Sequence, residues 1–191
     1  MFKVVQICKN FSTQKNFQPP TSNNSTDSTH STNQLLMKQS AGILLFRIVE
    51  KRLQVFLVHP GGPFWKNKDE GAWSIPKGEY ADDEDPLMAA RREFEEETGI
   101  PVSGEFIPLT AVKLKSGKRI QAWALEKDVD ALAIKSNLFS MEWPPRSGKN
   151  IEVPEVDRAA WFYKDEAKQK INVGQIPLID ELFEKTKATN K

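Results

Sequence analysis

The sequence is nearly free of cysteine, with Cys8 alone among 191 residues. That excludes an internal disulfide and any cysteine-built zinc site. A reducing, cytoplasmic compartment is the simplest expectation. Neither sign of charge is in excess: 27 Lys and Arg stand against 26 Asp and Glu, for a net charge of +1. This balance argues against a generally basic nucleic-acid binder and against an acidic tail protein, while leaving room for a local basic site. Stable nucleic-acid binding is not expected. No apolar run approaches the roughly 20 residues of a membrane span, so a membrane partner is not expected either.

Residues 21–34, TSNNSTDSTHSTNQ, hold no apolar side chain. Such a stretch has nothing to bury against the entropy cost of ordering, and residues 1–38 are expected to be a disordered polar tail. The start, MFKVVQICKNFSTQKNF, lacks the apolar core and small-residue cleavage site of a secretory signal. It is poor in acids, in the manner of an organelle transit peptide, but contains no arginine. A dispensable tail is the reading adopted.

From residue 39 to 188 the texture is that of one folded domain. AGILLFRIV and LQVFLVH are β-rich runs split by the charged turn Glu50-Lys51-Arg52, which predicts a hairpin. HPGGPFWKNKDEGA reads as a loop, and WSI as a short strand before PKG. EFIPLTAVKL and RIQAWALEK predict a second hairpin around Ser116-Gly117. ALAIKSNLF reads as a strand or mixed segment, and EWPPRSGKNIEVPEV as a loop. AAWFY is a strand, DEAKQKI a short helix and PLIDELFEKTKA a terminal helix. This order predicts an α/β sandwich with a mixed sheet.

The most informative stretch is GEYADDEDPLMAARREFEEETGI, residues 78–100. Asp85 and Pro86 form a helix start, and Gly99 a stop. Leu87, Ala90 and Phe94 fall on one face, which predicts packing on the sheet. Glu93, Glu96 and Glu97 fall at i, i+3 and i+4 on a second face. Like charges so placed repel, and they lie at the negative end of the helix dipole. Three carboxylates from one turn make a hard-oxygen site for magnesium or manganese, which would offset that repulsion. A solvated helix stabilised by i,i+4 pairs is the alternative at this point. Arg92 is placed to reach Glu96, and also a carboxylate of the preceding loop such as Glu84.

Gly78, five residues, Glu84, seven residues, then Arg92-Glu93-Phe94-x-Glu96-Glu97-x-Gly99-Ile100 resembles the Nudix hydrolase signature at every fixed position. The resemblance implies an α/β/α Nudix sandwich and a metal-dependent hydrolase of nucleoside diphosphates linked to another group. It implies that Glu93, Glu96 and Glu97 bind magnesium (or manganese in its place) with a backbone carbonyl at Lys77 or Gly78. Glu93 and Glu97 would serve catalysis, and Arg92 and Glu84 would support the site. PEVDRAAWF places Glu155 six residues before Trp161. In several Nudix hydrolases a glutamate so spaced is a metal ligand or general base, which implies that role for Glu155, with Asp157 and Glu152 as alternatives. His59 is read as structural or as a substrate contact.

Substrate is less legible. The PKG before the box looks like that of diadenosine polyphosphate hydrolases, and a lysine there, Lys77, can meet an extra phosphate as a point charge. Trp65, Lys66 and Trp73, with Phe64 and Lys68, are candidates for a nucleotide mouth of stacking planes and cations, with a place in the core the alternative for Trp65 and Trp73. The wider pattern also looks like a bacterial subgroup of predicted NTP pyrophosphohydrolases. The tyrosine that often follows the box in dinucleoside polyphosphate enzymes is absent, and so is the proline that would suggest ADP-ribose. Diadenosine polyphosphates are the favoured substrate. Nucleoside triphosphates, RNA 5′ ends and diphosphoinositol polyphosphates are the alternatives, and a non-catalytic nucleotide-binding module is the alternative of another class.

Overall fold

The computed structural model describes residues 39–189; the expected tail lies outside the described residues. Strand β1 (Gln39–Val49) turns into β2 (Arg52–Pro60), then β3 (Lys77–Glu79) and helix α1 (Pro86–Thr98). Strands β4 (Ile107–Lys113), β5 (Arg119–Glu126), β6 (Leu138–Glu142), β7 (Asn150–Pro154) and β8 (Val156–Tyr163) follow. Helix α2 (Lys164–Lys170), a 3₁₀ turn (Val173–Gln175) and α3 (Ile176–Thr189) end the described chain.

The main sheet runs β4-β5-β1-β2-β8, with β3 paired to the start of β1. Only β1 and β5 are parallel, so the sheet is mixed as expected. The two central strands are apolar on both faces because both faces are covered. Ile43, Leu45, Phe56 and Val58 pack with Ala89, Ala90 and Phe94 of α1. Leu44, Phe46, Val55 and Leu57 pack with Leu178, Ile179 and Leu182 of α3 on the opposite face. Phe94 is fully buried, its ring 6.1 Å from that of Phe56. Truncating such a residue to Ala costs about 3–5 kcal/mol.

Both expected hairpins form, the first with Val49 opposite Arg52. Two expectations are corrected. WSI makes only isolated bridges, Val58 to Ser74 and Trp73 to Ile171, and the strand lies four residues on, at β3. β3 has no apolar residue; pairing of Ser40, Ala41 and Gly42 with Glu79, Gly78 and Lys77 defines it. The segment 142–156 is not a plain loop. It holds the end of β6 at Glu142 and the whole of β7, which pair as a two-stranded arm apart from the main sheet. Among the described residues, no helix is long and apolar enough to cross a membrane.

Candidate functional site

Helix α1 presents the acids. Asp85 caps it by accepting from the Met88 N–H at 2.8 Å, and Pro86 opens its first turn. Gly99 ends it at φ 74°, the left-handed conformation that favours glycine. With Ala89, Ala90 and Phe94 anchored in the sheet, Glu93 is carried inward and is only 6% exposed. A Cβ at Gly78 would overlap the Glu93 carboxylate, so with any other residue here that carboxylate must move from its present position. One residue earlier, the Lys77 N–H donates to Glu97 Oε2 at 3.1 Å. The start of β3, at Lys77 and Gly78, therefore faces both Glu93 and Glu97.

Arg92 ties the cluster together. Its Nε and Nη2 donate to the two oxygens of Glu84 at 3.0 and 3.2 Å, a bidentate fork. Its Nη1 donates to Glu93 Oε1 at 2.6 Å and lies 3.4 Å from both oxygens of Glu96. Glu95 is exposed and points away.

Glu155 joins from the other side of the cluster, at the junction of β7 and β8. Its N–H donates to the Asn137 carbonyl, and its carbonyl accepts from the Gly61 N–H, both at 2.9 Å. Burial raises its carboxyl to about 7, with Glu93 and Glu96 adding to the rise and Lys77 opposing it. Burial likewise raises the Glu97 carboxyl to about 8 against the pull of Lys77, and Glu155 and Glu93 add to it. These shifts record one crowded cluster of acids with a single lysine charge within its field.

Hard oxygen donors crowded beyond what one Arg and one Lys neutralise suit a small divalent cation in chemistry and charge. Among the described residues, no group of three or more His, Cys, Asp or Glu side chains is already gathered as a metal cage. Glu93 is engaged by Arg92 instead.

Of the residues expected at a nucleotide mouth, Trp73 is placed elsewhere. It is 5% exposed, in the core layer under α3, with its ring 4.9 Å from Phe162. Its indole N–H donates to Asp69 at 2.8 Å. Trp65 is half-buried and Lys66 exposed, on a loop tied to Glu155 through Gly61. There Phe64 and Trp65 stack edge to face at 5.3 Å, and it is Lys68 whose ammonium lies over both rings, at 3.5 and 4.7 Å. His59 is fully buried, with Nδ1 on Asp157 and Nε2 on the Lys68 carbonyl, each at 2.8 Å. It is structural: it pins the far end of the loop and commits Asp157 to that task. Sequence reasoning found neither this pair nor the Lys118–Glu79 ion pair at 3.0 Å beside the site. Each joins residues far apart in the chain, and no local signal marks it.

The family profile of the NUDIX domain matches residues 38–182. No curated protein matches the chain. Among solved structures, similar folds include a Caenorhabditis elegans Ap4A hydrolase in a binary complex, at TM-score 0.54 and 17% identity over 78% of this chain and 98% of that one. The NUDIX domain of Shewanella oneidensis NrtR complexed with ADP ribose aligns at TM-score 0.55 and 17% identity, covering 78% and 88%. A mutT/nudix family protein from Listeria innocua aligns at TM-score 0.53 and 18% identity, covering 80% and 95%.

Proposed function

The chain belongs to the NUDIX domain family and is an enzyme of its phosphoanhydride-hydrolase type, and we propose that it cleaves a pyrophosphate bond in dinucleoside polyphosphates, diadenosine polyphosphates first. The observation that supports the reading is the contact of β3 with two acids of α1, Gly78 against the Glu93 carboxylate and the Lys77 N–H on Glu97, with Glu155 within electrostatic reach of the same acids.

Glu93, Glu96, Glu97 and Glu155, with a backbone carbonyl at Lys77 or Gly78, would hold magnesium or manganese, which screens the pyrophosphate and acidifies a bound water. Glu155 would serve either as a ligand of the metal or as the group that accepts a proton from the attacking water. Arg92 fixes the carboxylate of Glu93 and is itself fixed by Glu84. The Lys77 ammonium attracts substrate phosphates into a cluster that otherwise repels them. Phe64 and Trp65, on the loop joined to Glu155 through Gly61, would supply ring faces for a base on the side away from Lys68. The single cysteine supports a reducing, cytoplasmic location.

The test is a panel of dinucleoside polyphosphates, nucleoside triphosphates, ADP-ribose, capped RNA and diphosphoinositol polyphosphates, with products resolved by chromatography. Turnover should need magnesium, stop with chelator and be fastest on the dinucleoside polyphosphates. Turnover that survives chelation, or a panel with no turnover, would overturn the reading.

A further inference from the structure

At the N-terminal end of α1 a cavity of about 260 Å³ opens between Gln39, Tyr80, Pro86, Arg119, Gln121 and Trp123. It shares none of the acids described above but is joined to them through β3 and α1. Lys77 meets Glu97, Gly78 meets Glu93, and Tyr80 follows directly on β3, so this strand runs from the carboxylates toward the helix start. From Glu93 back to Pro86 the helix axis covers about 10 Å. Several linked phosphates bridge such a distance, whereas one does not.

The cavity lining is unusual for a patch with no ligand. Tyr80 and Trp123 bring two half-buried aromatic rings. The Tyr80 hydroxyl donates to Gln39 Oε1 at 2.9 Å, which holds the ring in place. Gln121 donates its amide N–H to the Leu109 carbonyl at 3.2 Å, and its own amide oxygen accepts no hydrogen bond among the described residues. The Trp123 indole N–H has no acceptor among them either. Arg119 makes no ion pair with a carboxylate among the described residues, and its charge acts on the Tyr80 hydroxyl. Asp82 stands at the rim, 3.4 Å from Gln39 Nε2. The set comprises stacking planes, one spare acceptor, one spare donor, one cation and one rim carboxylate. It matches the parts of a nucleoside phosphate: a heterocycle with edge donors and acceptors, ribose hydroxyls for the acid, and a phosphate for the arginine.

We infer that this cavity binds the second nucleoside of the substrate, with its base against Trp123 and Tyr80 and its edge on Gln121, while the phosphate chain runs along β3 to the carboxylates. The inference rests on the pyrophosphohydrolase reading above and gives it a reason to prefer substrates with a nucleoside at each end.

The first experiment needs no turnover. Adenosine is titrated into the metal-free full chain while the indole ¹H–¹⁵N resonance of Trp123 is followed, assigned through Trp123→Phe. A saturable shift of that resonance, weakened in Gln121→Ala, is expected. The second uses turnover: Gln121→Ala and Arg119→Ala should each raise KM for diadenosine tetraphosphate by about three- to tenfold with kcat retained, the loss of one or two hydrogen bonds. The rise should be smaller for a nucleoside triphosphate, and the melting temperature of both variants should stay near wild type. No shift at Trp123 with millimolar adenosine would overturn the site. A shift without a change in KM would overturn its role in the substrate. Absence of all turnover in the wild-type chain would instead sink the hydrolase reading, and the titration would still decide the cavity.

Discussion

Gly78 and Glu93 occupy adjoining space with no room for a methyl group between them: a Cβ on residue 78 would overlap the Glu93 carboxylate. Backbone and acid are thus pressed together where β3 meets α1, and Arg92 holds Glu93 against the strand at 2.6 Å. Gly78→Ala must push the carboxylate away or shift β3. Overpacking of this kind costs about 1–3 kcal/mol. Displacing Glu93 should also lower kcat by about 10²-fold, the scale for losing one preorganised electrostatic group. Calorimetry and steady-state kinetics on the one variant check both, and wild-type kcat would show that Glu93 can move without consequence.

The pH response of the metal-free protein follows from Glu97 and Glu155. Burial, first of all, raises both carboxyls, to about 8 and about 7. The folded chain therefore holds these protons more tightly than the unfolded chain, whose glutamates titrate near about 4.3. Their stabilising effect is fully present below that range and is lost as pH rises through about 7 and about 8. Metal-free melting temperature should fall from pH 5 to pH 9, and magnesium should restore it while releasing protons near pH 7. Glu97→Gln should flatten the decline and lose about 10²-fold or more in kcat. Titration calorimetry in buffers of differing ionisation heat reads the proton release; none at pH 7 would refute the assignment.

The turn between β1 and β2 carries a separable cost. Its two residues, Glu50 and Lys51, have φ of 49° and 63°, a left-handed pair that Asn-Gly adopts far more readily. Replacing them by Asn and Gly should raise stability by about 1 kcal/mol, a melting shift of a few degrees, with kcat unchanged. The turn lies at the end of β1 away from its pairing with β3. A loss of stability would mean that the charges matter more than the backbone.

How far the sequence discloses this molecule depends on the range of each interaction. The cap at Asp85, the stop at Gly99 and the inward face of Ala90 and Phe94 are set within a few turns of one helix and are legible in residues 85–99, whereas Leu87, expected on that face, is only half-buried and Ala89 is buried instead. The parallel pairing of β1 with β5 joins residues about 80 apart, for example Ser40 and Ile120, and no local pattern announces it. The arm of β6 and β7 is hidden for another reason. Its strands alternate only between exposed and half-buried until Val153, so no apolar face stands out, and Pro144 and Pro145 at its tip read as loop. In the site, the spacing of Glu93, Glu96 and Glu97 is local chemistry. The crowding that raises Glu155 arises only when the β7–β8 junction comes up against α1, and the cavity at Trp123 needs four separate segments. Trp73 is open in the sequence between mouth and core, and its bridge to Ile171 and its packing in the layer under α3 decide for the core.

Lys77 offers the sharpest test of substrate. Its N–H is committed to Glu97 at 3.1 Å, while its ammonium acts on both Glu97 and Glu155. The backbone part survives substitution by alanine, and the charge does not. If the ammonium also meets a phosphate beyond the cleaved pair, a long phosphate chain loses more than a short one. Lys77→Ala should then lower kcat/KM further for diadenosine tetraphosphate than for ADP-ribose, by a difference of about 1–3 kcal/mol, the range for a hydrogen bond to a charged group. Lys77→Arg should not restore it fully, because a planar guanidinium fork does not replace a compact ammonium point charge. Removing the cation also strips Glu97 and Glu155 of the attraction that holds their pKa down, so the pH optimum should move upward. Equal losses on both substrates, with the optimum still displaced, would confine Lys77 to the acids and the shared pyrophosphate. The preference for long chains would then rest on the Trp123 cavity alone.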